Sequence, residues 1–230
     1  MSHRPHPKPA PSEGARSPEK RAAGPGRPKD LGKRAAILEA AKRLFVAQGF
    51  AGVSMDQIAA DAGVSKLTVY SHFGDKEALF AAAVQAHFEQ QLPDSLFAAA
   101  DAAPLRDGLM QIARAFFAMI MDPDALAGHR IMCSPHVVET GMPQQAWEVG
   151  PQRAIDMVAD VMRHHVEAGE LEIDDIPRAA SQFLCLVKGD LHQRVVFGCS
   201  PMPLASEAEA QLEGAVDMFL RAYGAARNRA

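Results

Sequence analysis

A chain of 230 residues has room for one large domain or two smaller ones, and 48% apolar residues are ample for a buried core. Aromatics make up only 6% while alanine is abundant and strand-favouring runs are scarce, which favours helices over sheet. The net charge of −4 conceals an asymmetry: residues 1–34 carry nine Lys/Arg against three Asp/Glu, the remainder fifteen against twenty-five, so the basic end either seeks an anionic partner or is simply solvated. Cys133, Cys185 and Cys199 are scattered with no CxxC pair, which argues against a disulfide framework or zinc ribbon. No apolar signal segment opens the chain and no run approaches membrane-spanning length, so the expectation is a cytoplasmic protein with reduced thiols and no membrane contact.

Residues 1–29 are rich in Pro, Ser, Gly, Lys and Arg and bury too little apolar surface to order themselves, which predicts a disordered basic tail. Helical periodicity begins near Lys33, with Ile37, Ala41, Leu44 and Phe45 on one face and Gly49 as its stop. Ser54 with Gln57 forms a capping box that opens a second helix, ended by Ala62-Gly63-Val64 after two turns. Ser65 caps a third short helix through Phe73, and Asp75 caps a fourth from Lys76 to about Gln91, before Pro93. Leu105, Leu109, Ile112, Phe116 and Ile120 predict a further helix, apolar all round near its end and therefore central. A short helix follows Asp122-Pro123, to be ended or kinked at Pro135. One long helix is expected from Gln144 to Ala168, another from Ile176 through Val195, and a last one from about Ser206 to Tyr223. No segment alternates, so the fold class is all-α.

Two short helices joined by a Gly-containing turn, Ser54–Ala62 and Ser65–Phe73, have the spacing of a helix-turn-helix. The third helix presents SKLTVYSH, with small, hydroxylated and basic side chains that suit a DNA major groove and its phosphates. Spacing alone leaves an ordinary αα corner with a polar outer face open as the alternative.

The run ILEAAKRLFVAQGFAGVSMDQIAADAGVSKLTVYSHFGDKEALFAAAV, Ile37 to Val84, resembles the DNA-binding domain of TetR-type transcriptional regulators. The likeness rests on the Phe before Gly, the AxxAGVS turn, the Tyr-x-His-Phe end of the third helix and the following Lys-Glu-x-Leu. It implies an N-terminal three-helix reading head at 30–76 and a helical ligand-binding and dimerisation domain at 77–230. By the same resemblance Lys66, Leu67 and Thr68 read bases, with Ser71 beside them. Tyr70 and His72 contact phosphate, Lys76 holds backbone phosphate, and Ser54 and Met55 meet the backbone where the second helix begins. Leu67 stands where the family more often has Gly, Ala or Pro; an apolar side chain there suits a thymine methyl. Gly26-Arg27-Pro28 resembles the core of AT-hook peptides, which would place Arg27, and Lys29 near it, in an A·T-rich minor groove; non-specific attraction by the tail is the alternative.

The segment from Trp147 to Gly198 resembles the AcrR/AefR-type subgroup. The implied partners are a palindromic double-stranded DNA operator, a second copy of the chain joined through the last two helices, and a small hydrophobic effector that releases a repressor from its operator. Candidate effector contacts are Phe116, Phe117, Met119, Met132, His136, Trp147, Met157, Val161, Phe183 and Val187, each of which ordinary core packing also explains. Phe197, Leu212, Val216, Phe219 and Tyr223 are candidates for the dimer face, with intramolecular core as the rival. His164, His165, Asp190 and His192 invite an enzymatic reading, but HExxH, GxSxG and a Gly-rich phosphate loop are all missing, so neither catalysis, metal nor cofactor is expected. An interaction module whose helix-turn-helix no longer binds DNA is the other alternative.

Overall fold

The computed structural model describes residues 30–225 together with Met1; the predicted tail, with Arg27 and Lys29, lies outside the described residues. Five helices build the first part of the chain: α1 (Leu31–Gly52), α2 (Met55–Asp61), α3 (Lys66–Phe73), α4 (Lys76–Gln91) and α5 (Asp94–Asp101). They are followed by α6 (Leu105–Ile120), α7 (Pro123–Met132), α8 (Pro135–Val138), α9 (Met142–Trp147), α10 (Arg153–Glu167), α11 (Ile176–Val196) and α12 (Ala205–Tyr223). Among the described residues the only extended pairing is an isolated bridge between Leu171 and Gly224.

Local chemistry sets the ends of the first four helices. Asp30, Ser54, Ser65 and Asp75 each accept a first-turn amide, and at Ser54 the box is reciprocal, Gln57 Oε1 receiving the Ser54 amide at 2.7 Å. Gly63 and Gly74 adopt φ of 65° and 83°, which lets the chain leave α2 and α3 without Cβ strain, and Gly49, expected as the stop of α1, instead kinks it at φ 70° short of its end.

Apolar residues collect into two cores. The first holds Ile37, Phe45, Ile58, Val69, Leu79 and Phe80, and is braced by the rings of Phe45, Phe50 and Phe80, whose centroids lie 5.3–5.8 Å apart. Val137 and Met142, from α8 and α9, complete it. The second is built by α5, α6 and α10 to α12 around Leu109, Met119, Met162, Phe183 and Val216. Helix α4 serves both: Leu79 and Phe80 lie in the first, Phe88 and the cap Leu92 in the second.

Three differences from the sequence expectations have physical causes. The single helix expected from Gln144 to Ala168 is continuously helical from Met142 to Glu167 but widens into a π turn at Glu148–Gln152 between α9 and α10, because Pro151 lacks an amide proton and cannot continue the regular ladder. Pro135 opens α8 instead of merely ending α7. Leu212, Val216 and Phe219, candidates for the dimer face, are buried within the chain itself; their stripe packs on α6 and α11. Phe197 and Met218, by contrast, are 69% and 58% exposed.

Candidate DNA interface and ligand cavity

Helix α3 is held to the head by little of its own surface. Val69 alone is buried, supported by the half-buried Val64 and Phe73, so the remaining faces stay open. Leu67 is 78% exposed and touches no core, while Lys66, Tyr70 and Ser71 are also exposed. Lys66 Nζ lies 2.9 Å from Asp56 of α2 and 5.9 Å from the Tyr70 ring; the carboxylate raises its proton affinity further. Thr68 is half-buried, with Oγ1 at 2.8 Å from the Ser65 hydroxyl, and Ser71 Oγ donates to Thr68 O at 2.8 Å. His72 is half-buried against Phe73.

Two of the expected contacts sit differently. Met55 is only 6% exposed and belongs to the first core, so at this residue a phosphate can meet only backbone; the inward stripe of α2 begins at its first residue. Lys76 turns its ammonium inward, donating to Phe50 O at 2.9 Å and Val53 O at 3.0 Å, 4.2 Å above the Phe50 ring. Those carbonyls close α1 and lead into Ser54, so one cation ties the ends of α1 and α4 to the start of α2.

Behind the head a cavity of about 820 Å³ opens between the two cores. Phe116, Met119, Met132 and Trp147, all candidates from sequence, line it. Phe117, Val161, Phe183 and Val187 lie in the second core away from its wall, and Met157 packs against that core. His136 stands in α8, its side chain outside the described residues. Sequence reasoning missed the contributions of α1 (Lys42, Val46), α4 (Val84, His87) and α11 (Lys188). On α4 the signal was present: the apolar repeat that begins in the head's core at Phe80 continues at four-residue spacing through Val84 to Phe88.

Comparison with known proteins agrees with this architecture. Residues 37–83 match the profile of bacterial regulatory proteins of the tetR family, and residues 107–225 that of the AefR-like transcriptional repressor C-terminal domain. The chain belongs to the TetR family. Among the relatives of this TetR-family regulator, the transcriptional activator FasR of Mycolicibacterium smegmatis is 32% identical over 149 residues, 63% of this chain and 67% of FasR. A TetR-family regulator from Mesorhizobium loti superposes with a TM-score of 0.75 at 29% identity, covering 84% of this chain and 98% of the other. The flavonoid-responsive regulator FrrA superposes with a TM-score of 0.68 at 32% identity, covering 87% of this chain and all of its own. Members of this family are transcriptional regulators and not enzymes, and no helix among the described residues is long and apolar enough to cross a membrane.

Proposed function

We propose that this TetR-family regulator is a cytoplasmic repressor that binds a palindromic operator as a homodimer and is released by a small hydrophobic effector. Residues 30–76 act as the reading head and 77–230 as the effector and dimer domain. The observation that carries this reading is that the cavity wall includes α1 and α4, the helices that also build the head's own core, and shares Phe45 and Phe80 with it. An effector seated there presses on α1 and α4, and α4 begins one turn from α3. Release follows only if the effector binds the non-operator arrangement more tightly. FrrA's responsiveness to a flavonoid supports an apolar ring system as effector, and the repressor profile matched by the second domain supports repression. In the dimer, the outer faces of α11 and α12 pair through Met218, Ala222, Leu186 and Tyr223, which border a shallow groove.

Base reading falls to Lys66, Leu67 and Thr68; Tyr70, Ser71, His72 and Ser54 hold the backbone. Gel-shift of the protein's own upstream DNA, with Met119→Trp to fill the cavity, tests this function. The wild type is expected to retard that DNA at low salt and lose it to apolar compounds, while the variant retards it and ignores them. No retardation by the wild type at low salt would contradict the reading.

A further inference from the structure

The cavity is lined mostly by apolar side chains, and the polar group where α7 meets α11 is unbalanced in charge. Helix α11 turns a single face to it, running from Ser181 through Leu184 and Lys188 to His192. Across from that face α7 contributes His129, whose ring centroid lies 5.2 Å from that of His192 at an interplanar angle of 77°. The junction is fixed: Arg130 donates to Val195 O and Val196 O, both at 2.9 Å, which pins α7 to the end of α11. Just after Lys188 the helix breaks at Gly189, with φ 55° and ψ −162°. Gln211 of α12 packs into the break and donates to Leu186 O at 2.7 Å.

Lys188 is half-buried, and no carboxylate among the described residues pairs with it. The nearby acids are engaged elsewhere. Asp190 faces Arg194 at 3.5 Å, Asp122 caps α7 through the Asp124 amide at 2.9 Å, and Glu39 holds Lys42 at 3.0 Å. Asp124 also borders the cavity but does not pair with Lys188. Burial, His129 and Lys188 together push His192 down to about 4, and burial with Lys188 lowers His129, so at neutral pH both rings are uncharged N–H donors beside one uncompensated cation. A half-desolvated cation flanked by donors is stabilised by an anion, and Phe88, Phe116, Met119 and Ile120 of the same lining offer apolar surface to the rest of a ligand.

We propose that the effector is an amphipathic monocarboxylate, its carboxylate held by Lys188 with His129 and His192 donating, and its apolar body lying between α4 and α6. This rests on the cavity being the effector site and names what that site selects.

Trp147, the chain's only tryptophan, lies on the cavity wall at 50% exposure and reports occupancy by its fluorescence. The test titrates the full-length protein at pH 7.5 with 4-biphenylacetate and with its neutral isostere 4-biphenylacetamide. On the wild type the acid is expected to bind at least about 10-fold tighter than the amide, about 1.4 kcal/mol. Lys188→Met should bring the two within about 2-fold, by weakening the acid and leaving the amide unchanged; Lys188→Arg should keep the preference. Equal affinity on the wild type, or a preference that survives Lys188→Met, overturns the carboxylate assignment alone. If neither compound changes the emission, the effector cavity falls with it.

Discussion

Replacing Lys76 by Met separates two roles that one ammonium can play. Its side chain donates to Phe50 O at 2.9 Å and Val53 O at 3.0 Å and lies 4.2 Å from the Phe50 ring. Hydrogen bonds to a charged group each contribute about 1.5–3 kcal/mol net, and a half-exposed cation–π contact about 0.5–1. Phe50 O keeps a second donor, the Val53 amide at 3.4 Å, so the substitution strands chiefly Val53 O. The methionine retains the apolar stem. The expected loss is therefore about 2–3 kcal/mol, a drop in melting temperature of roughly 4–12 °C for a chain of this size. Thermal and urea unfolding by circular dichroism read the stability, and anisotropy on operator and random DNA reads the binding. An unchanged melting temperature together with weaker binding to both DNAs would refute the structural role and leave the lysine as a phosphate ligand only.

Three further outcomes follow from individual contacts. Asp56→Asn frees Lys66 from an exposed ion pair that contributes little to stability and removes an anion from the phosphate-facing side, so DNA affinity should rise several-fold and the salt dependence steepen by about one released ion; unaltered anisotropy titrations would argue that Lys66 does not reach the nucleic acid. Leu67→Ala should leave the melting temperature unchanged, because the side chain touches no core, while lowering the preference for operator over random DNA by up to about 1–3 kcal/mol if it meets a thymine methyl. His192 titrates near 4 when folded and near 6.5 when unfolded, so the unfolded chain takes up the proton first and stability from this group is lost as pH falls through that window. The span from about 6.5 to about 4 bounds the loss at about 3 kcal/mol, and His192→Gln should flatten the acid limb of a stability–pH profile; an identical limb would show that other groups govern it.

The reading head was legible in the sequence because its elements are local. Ser54, Gln57, Ser65 and Asp75 announce helix starts through their own side chains, and Gly63 and Gly74 announce stops, so the four helices and the family resemblance could be read without tertiary information. The cavity was less legible. Phe116, Met119 and Phe183 look alike as apolar residues at helical spacing, yet two of them line the cavity and the third is sealed in the core; only the packing of distant helices decides. Breaks produced a similar blind spot. Pro151 at the π turn and Gly189 inside α11 could be seen as residues, but whether a helix resumes past them depends on partners such as Gln211. The inward turn of Lys76 was invisible for the same reason, since the carbonyls it meets lie 23 and 26 residues earlier.

The central claim is that α3 of each copy reads DNA in a two-fold arrangement. Selection of bound fragments from a random DNA pool by the full-length protein, followed by sequencing, tests it most directly. The account predicts enrichment of an inverted repeat whose half-sites are centred about one helical turn, roughly 34 Å, apart, with enrichment lost for Lys66→Ala and Thr68→Ala. A pool that stays random, or one that yields a single unrepeated site untouched by those substitutions, would contradict it.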